Sequence, residues 1–137
     1  PPNHRYANSP AVPVHAFSED AYIDVHAEKE TDNARLFREY DIHPKKHIST
    51  EDSSAMYSMV EVGFGIAMNN QINTIHYTGD VVILPLDPPK QVTIGIASTQ
   101  RVLPIVKEFI HFIISQGFPQ GVPGISVENH VISAEKL

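Results

Sequence analysis

The stretch AYIDVH, residues 21–26, alternates apolar and polar side chains with a period of two. This alternation predicts a β-strand with one buried face. A helix is predicted soon after it, because Thr31 can act as an N-cap and Asp32 lies in the first turn, where the helix dipole favours a negative charge. That helix must end before His43-Pro44, because the residue before a proline is pushed away from helical backbone angles.

Strands and helices continue to alternate toward the C-terminus, with short loops between them. The predicted elements, in order, are a strand over His47–Thr50, a helix capped by Asp52 or Ser53 and closed by Gly63, a buried strand over Phe64–Met68, a helical turn within Asn69–Ile75, strands over Asp80–Leu86 and Gln91–Ala97, a helix from Pro104 to Gly117, and a short strand over Val127–Ser133. This alternation predicts an α/β fold with a largely parallel sheet flanked by helices.

Composition excludes several classes of protein. The 137 residues carry 10 Lys and Arg against 16 Asp and Glu, a formal net charge of −6. An acidic chain without clustered basic residues is not expected to bind nucleic acid. The chain has no cysteine, which excludes disulfide scaffolds, thiolate zinc sites and cysteine nucleophiles. No apolar run reaches the roughly 18 residues of a membrane-spanning helix, so no membrane partner is expected. The first residues, PPNHR, are not a signal peptide and lack an initiator Met, which suggests a piece of a longer product.

The candidates for chemistry are few. His43 and His47 have helical i, i+4 spacing, but the helical metalloprotease motif needs a glutamate where this chain has Pro44, so we expect no metal. Gly63-Phe64-Gly65 follows a helix and precedes a strand, the reverse of the nucleotide-binding fingerprint, and we expect no cofactor. No nucleophile elbow and no recognisable Ser/His/Asp set occurs. The chain is therefore not expected to be an enzyme.

Polar residues at element ends are better candidates for ligand contacts. His26 ends a predicted strand, and strand C-termini in open α/β sheets face the ligand crevice. The stretch Thr50–Ser54 offers hydroxyls and backbone N–H groups at a helix N-terminus, which can hold an anion or can simply cap the helix. Met68-Asn69-Asn70 follows a predicted buried strand and places amides at its end.

Four segments in this order resemble the effector-binding domain of LysR-type transcriptional regulators. Residues 2–7, PNHRYA, are similar to the family's P-x-H-P-L-A segment, with Arg5-Tyr6 in place of Pro-Leu. Residues 59–67, MVEVGFGIA, resemble its V-x-x-G-x-G-I-A/S helix-to-strand turn. Residues 82–89, followed by residues 93–97, resemble its return strand, and Pro104–Ile113 resembles the helix after it. The resemblance covers residues 2 to about 116.

The resemblance implies the type-2 periplasmic-binding-protein fold, with a small molecule bound between two lobes. Residues 1–92 would form the second lobe, 93–116 a return segment of the first lobe, and 117–137 a C-terminal tail. DNA would be contacted only through a helix-turn-helix domain that these residues lack, in a cytoplasmic regulator. The effector, an anion or metabolite acid, would meet ligand-binding residues at strand ends and helix N-termini: His26, Ala27, Thr31, Asp32, Thr50, Ser53, Ser54, Met68 and Asn69. Asn69 replaces a usual proline, which implies a more polar pocket.

Two other functions are compatible with the same sequence. A solute-binding protein of a transporter has the same fold, and only an attached signal peptide or helix-turn-helix would distinguish it. An enzyme on an α/β scaffold is the third reading. Residues 92–97 and the apolar face of the last helix, which includes Ile105, Phe109 and Phe112, lack their sheet partners, so we expect a homo-oligomer.

Overall fold

The computed structural model describes residues 1–27, 30–74, 77–92, 98 and 102–116. The chain divides into two compact units, Pro1–Thr93 and Ile94–Leu137. The described elements of the first unit are β1 (Val12–Pro13), α1 (Ala16–Glu19), β2 (Ala21–Val25), α2 (Asp32–Glu39), β3 (Lys46–Thr50), α3 (Ser53–Glu61), β4 (Ile66–Ala67), a 3₁₀ turn (Gln71–Asn73) and β5 (Leu86–Asp87). Helix α4 (Pro104–Gln116) lies in the second unit.

The main sheet has three parallel strands in the order β3-β2-β4. Strand β2 is central, and its residue Tyr22 pairs with His47 of β3 and with Ile66 of β4. Strands β1 and β5 form a separate parallel pair, in which Val12 lies beside Leu86. The predicted α/β class with parallel strands flanked by helices is thus confirmed.

Successive residues of β2 point to opposite faces, and each face is covered by helices. On one face Tyr22 packs with Phe17 of α1 and Leu36 of α2. The Tyr22 ring also lies 4.7 Å from that of Phe37, centroid to centroid. On the other face Ile23 packs with Met56 and Tyr57 of α3. Helices α2 and α3 therefore lie on opposite faces of the sheet.

The ends of α3 follow the sequence signals closely. Asp52 is the N-cap, and its carboxylate accepts hydrogen bonds from the backbone N–H groups of Ser54 and Ala55. At the other end the N–H of Gly63 donates to the carbonyl of Val60 and that of Phe64 to the carbonyl of Met59, both at 2.9 Å. Gly63 has a φ of 83°, the left-handed conformation that this C-terminal cap requires.

Gly65 brings the chain into β4 at very close range. A Cβ atom at this position would lie 2.3 Å from the carbonyl oxygen of Ala21, at the start of β2. Only the absence of a side chain allows this approach. Because residues 63–65 form the helix cap and this close contact, strand β4 begins only at Ile66.

The structure differs from the predicted elements in several places. The strand predicted over Phe64–Met68 spans only Ile66–Ala67 and is partly buried, because the N–H of Phe64 closes the helix cap. The strand predicted over Asp80–Leu86 is wrong except at Leu86, the first residue of β5, since Pro85 has no N–H to donate to a ladder. Helix α1 and strand β1 lie before the first element that the sequence predicts. No strand begins at Gln91–Val92. The predictions for residues 93–97, Gly117 and Val127–Ser133 lie outside the described residues.

Helix α4 begins at Pro104, as predicted. Large apolar side chains on and beside this helix are exposed: Leu103, Ile105, Phe109, Phe112 and Ile114. In the described part of the chain, no helix combines the length and apolar character that crossing a membrane requires.

Replacing Ile23 with alanine tests the importance of the central strand. Ile23 is 0% exposed, and its loss leaves a cavity between β2 and α3. We expect Ile23→Ala to lower the free energy of unfolding by about 2–5 kcal/mol in urea denaturation. Ile83→Ala is the control, because Ile83 is 52% exposed and its removal should cost less than about 1 kcal/mol. Equal losses in the two variants would contradict the packing described here.

Candidate functional site

The three strands of the main sheet are parallel, so their carboxyl ends lie at one edge. Strand β2 comes first in the chain, β3 lies on one side of it and β4 on the other. The chain passes from β2 to β3 on one side and then crosses over β2 to β4 on the other side. Ligands in such sheets bind at the carboxyl ends of the strands beside that reversal of direction. His26 and Ala27 follow β2, Thr50 ends β3, and Met68 and Asn69 follow β4. Parallel pairing brings these predicted residues to one edge of the sheet.

His26 has the most unusual conformation at this edge. Its φ of 61° is left-handed, a region in which histidine is enriched among non-glycine residues. The backbone N–H of His26 donates to the carbonyl of Thr50 at 3.0 Å. Its Nδ1 atom lies 2.8 Å from Oε2 of Glu51. The His26 ring is thus held by the residue that follows β3, which orients the Nε2 atom as the ring's other polar position.

Glu51 was not predicted as a ligand-binding residue. It lies in the polar stretch Thr50–Ser54, but its link to His26 spans 25 positions and leaves no local pattern in the sequence. The Glu51 carboxylate is largely exposed. It adds a negative charge to the edge where an anionic ligand was expected.

The two helix N-termini near this edge are capped by their own side chains. Oγ1 of Thr31 accepts a hydrogen bond of 3.1 Å from the backbone N–H of Ala34. The Asp52 carboxylate accepts from Ser54 and Ala55, as described for α3. An anion at the start of α3 would have to approach this carboxylate. Capping therefore describes Thr31 and Asp52 well, while Ser53 and Ser54 have exposed side chains on the first turn of α3.

The end of β4 is held by two asparagines in different ways. Nδ2 of Asn33, in the first turn of α2, donates to the carbonyl of Met68 at 2.9 Å and to the hydroxyl of Tyr22 at 3.1 Å. Nδ2 of Asn69 donates to the hydroxyl of Tyr57 at 3.1 Å. Oδ1 of Asn69 accepts from the backbone of Asn70 and from the side chain of Asn73. The amide of Asn69, a predicted ligand contact, is thus used to organise its own loop.

Asp32 is turned toward the side of α2. Its carboxylate lies 3.5 Å from the guanidinium of Arg35, one turn along the helix. Both residues line an open groove of about 330 Å³ with other side chains of α2 and the segment after β5: Leu36, Glu39, Lys90 and Val92. None of the strand-end residues lines this groove, so the Asp32 carboxylate and the strand-end residues do not share it.

The two histidines with helical spacing, His43 and His47, are held by different carboxylates. Nε2 of His43 lies 2.9 Å from Asp41, and Nε2 of His47 lies 3.3 Å from Asp24. Among the residues that the structure describes, no three histidine, aspartate or glutamate side chains gather as a metal site requires. The edge of the sheet offers an imidazole, hydroxyls, a carboxylate and backbone groups, which are contacts suited to a small polar molecule.

Comparison of the chain with protein-family models, with curated proteins and with solved structures finds no match in any of the three.

The capping role of Asp52 can be measured directly. Asp52→Ala removes the acceptor for two backbone N–H groups and should lower the free energy of unfolding by about 1 kcal/mol. Ser53→Ala is the matched control in the same turn and should change it by less than about 0.5 kcal/mol. Urea denaturation of the two variants gives both values. An Asp52→Ala variant as stable as the parent would show that another group caps α3.

Proposed function

We propose that this chain is part of the effector-binding domain of a LysR-type transcriptional regulator, with the type-2 periplasmic-binding-protein fold. In this proposal residues 1–92 are the second lobe, 93–116 the return segment and 117–137 a tail. The carrying observation is the β3-β2-β4 order, which gathers His26, Ala27, Thr50 and Met68 at one carboxyl edge. The function is then sensing of a small molecule, without catalysis.

The His26–Glu51 pair supplies a chemical reason for ligand selectivity. A carboxylate 2.8 Å from Nδ1 favours a proton on that nitrogen and leaves Nε2 to face a ligand. In the neutral ring Nε2 accepts a hydrogen bond from a ligand hydroxyl. In the charged ring it donates to a ligand carboxylate. A metabolite that carries both groups, such as a hydroxy acid, fits both states of the ring.

Sensing requires a difference in affinity between two arrangements of the protein. A ligand that contacts His26 and the strand ends of the second lobe, and also the first lobe, favours the arrangement in which the lobes are close. The population changes only by the ratio of the two affinities. The response would pass to DNA through a helix-turn-helix domain that these residues do not include.

Calorimetric titration with a set of organic acids tests the proposal on the complete two-lobed domain. His26→Asn is the informative variant, because asparagine tolerates the left-handed backbone of this position but lacks the imidazole. We expect it to weaken binding at least tenfold, about 1.4 kcal/mol. His43→Asn is the matched control, because His43 pairs with Asp41 in an exposed loop. This variant should bind the acid with the affinity of the parent. No binding of any acid, or equal affinity in both variants, would count against an anionic effector at His26.

Self-association is part of the same proposal. The exposed apolar residues of α4 form a surface typical of protein interfaces. Light scattering of the 137-residue chain at micromolar concentration should give a mass above that of the monomer. Phe112→Glu should lower this mass, whereas Ser115→Glu, an exposed polar position of the same helix, should leave it unchanged. A monodisperse monomer would contradict this part of the proposal.

A further inference from the structure

A series of polar groups crosses the main sheet beneath the carboxyl edge. Nε2 of His47 on β3 lies 3.3 Å from Oδ2 of Asp24 on β2. The Tyr22 hydroxyl donates to Oδ1 of the same carboxylate at 3.2 Å. Asn33 of α2 donates to the Tyr22 oxygen at 3.1 Å and to the Met68 carbonyl, after β4, at 2.9 Å. We call His47, Asp24, Tyr22, Asn33 and the Met68 carbonyl the polar relay.

The inner part of the polar relay is buried and its outer end is exposed to solvent. Asp24 is 8% exposed and is the one buried charged residue in the part of the chain that the structure describes. A buried carboxylate is costly unless donors surround it, and Tyr22 and His47 are those donors here. The His47 side chain is 46% exposed, so its ring can exchange protons with the solvent.

The hydrogen bonds of the relay have a defined direction. Burial, and next the negative charge of Asp24, raise the pKa of Tyr22 well above its usual range. The Tyr22 hydroxyl therefore keeps its proton and donates it to Asp24, and its oxygen is left to accept from Asn33. An imidazole can carry a proton on one or on both of its nitrogens, so the half-exposed His47 is the variable member of the relay.

Among the described residues around His47, Asp24 is the charged group that pairs with its ring. The Tyr22 ring is stacked on the imidazole, with centroids 5.6 Å apart. Lys46 precedes it on its own strand and is exposed. The charged residues of the helices on this face pair elsewhere: Arg35 and Arg38 with Glu30, Arg35 also with Asp32, Glu39 with Lys90, and Glu19 with Arg5. Within the described residues, no second carboxylate lies at ion-pair distance from His47.

We propose that the polar relay is a pH-sensitive device that transmits protonation of His47 to Asn33 and to the end of β4. A neutral His47 donates to Asp24 only in the tautomer that carries its proton on Nε2, whereas the charged ring always donates. The charged ring also makes Asp24 a weaker acceptor for the Tyr22 hydroxyl. Because consecutive hydrogen bonds polarise one another, the change reaches the bond from Asn33 to Tyr22 and the amide shared with Met68.

The relay itself can be tested without any ligand. In the ¹⁵N-labelled 137-residue chain, titrated from about pH 5 to 8, the Asn33 side-chain amide signals should shift with the same midpoint as the His47 ring. The shift should disappear in His47→Gln and persist in His43→Gln, which alters an exposed histidine outside the relay. Tyr22→Phe keeps the ring but breaks the series, so His47 should still titrate while Asn33 no longer follows.

Two results would overturn the device. One is an Asn33 signal that stays constant or moves with a midpoint different from that of His47. The other is an Asn33 shift that persists in His47→Gln. Because His47 is half exposed, His47→Gln is expected to fold, and it decides the question even where Tyr22→Phe does not fold.

The effect on ligand binding rests on the proposed function and needs a second measurement. Organic-acid affinity of the two-lobed domain should differ between pH 5.5 and 7.5, and His47→Gln should remove at least half of that difference. An unchanged pH dependence in His47→Gln would show that the relay does not reach the ligand. Absence of any binding, with Asn33 still following His47, would remove the proposed function and leave the relay standing.

Discussion

The structure depends on the complete enclosure of β2. This strand is hydrogen-bonded to β3 and β4 on its two sides, and its two faces are covered by α2 and α3. Tyr22 and Ile23, adjacent in the sequence, are central to two different apolar clusters. Both clusters depend on the same strand, so the packing on the two faces of the sheet also fixes where the strand ends lie.

Local signals predicted the elements around β2 well. The period of two over residues 21–26, the caps at Thr31 and Asp52 and the glycine at Gly63 all act within one or two turns of chain, so they can be read from sequence. The extent of β4 and β5 could not be read in this way. An apolar run such as residues 80–86 looks like a strand, but pairing depends on distant partners and on the missing N–H of Pro85.

The candidate site likewise contains residues that can be predicted from the sequence and residues that cannot. His26 and Met68 are predicted because they stand at the ends of predicted strands, and Thr50 because it precedes a predicted helix. Glu51 and Asn33 escaped prediction as site residues because their partners, His26 and Met68, lie 25 and 35 positions away in the chain. Asn69 and Asp52 carry polar groups suited to a ligand, yet the fold uses those groups for a loop and a cap. Residue type alone does not distinguish these uses.

Gly65 imposes a constraint that would be visible in evolution. The backbone of Ala21 occupies the space that any side chain at position 65 would need. Most positions of the sheet can exchange one apolar residue for another with modest cost, since volume can be recovered nearby. Position 65 has no such freedom, because its neighbour is main chain. Among homologous chains that keep the β2–β4 pairing, glycine should therefore persist here even where the ligand-facing residues have diverged, which makes it a marker of shared architecture.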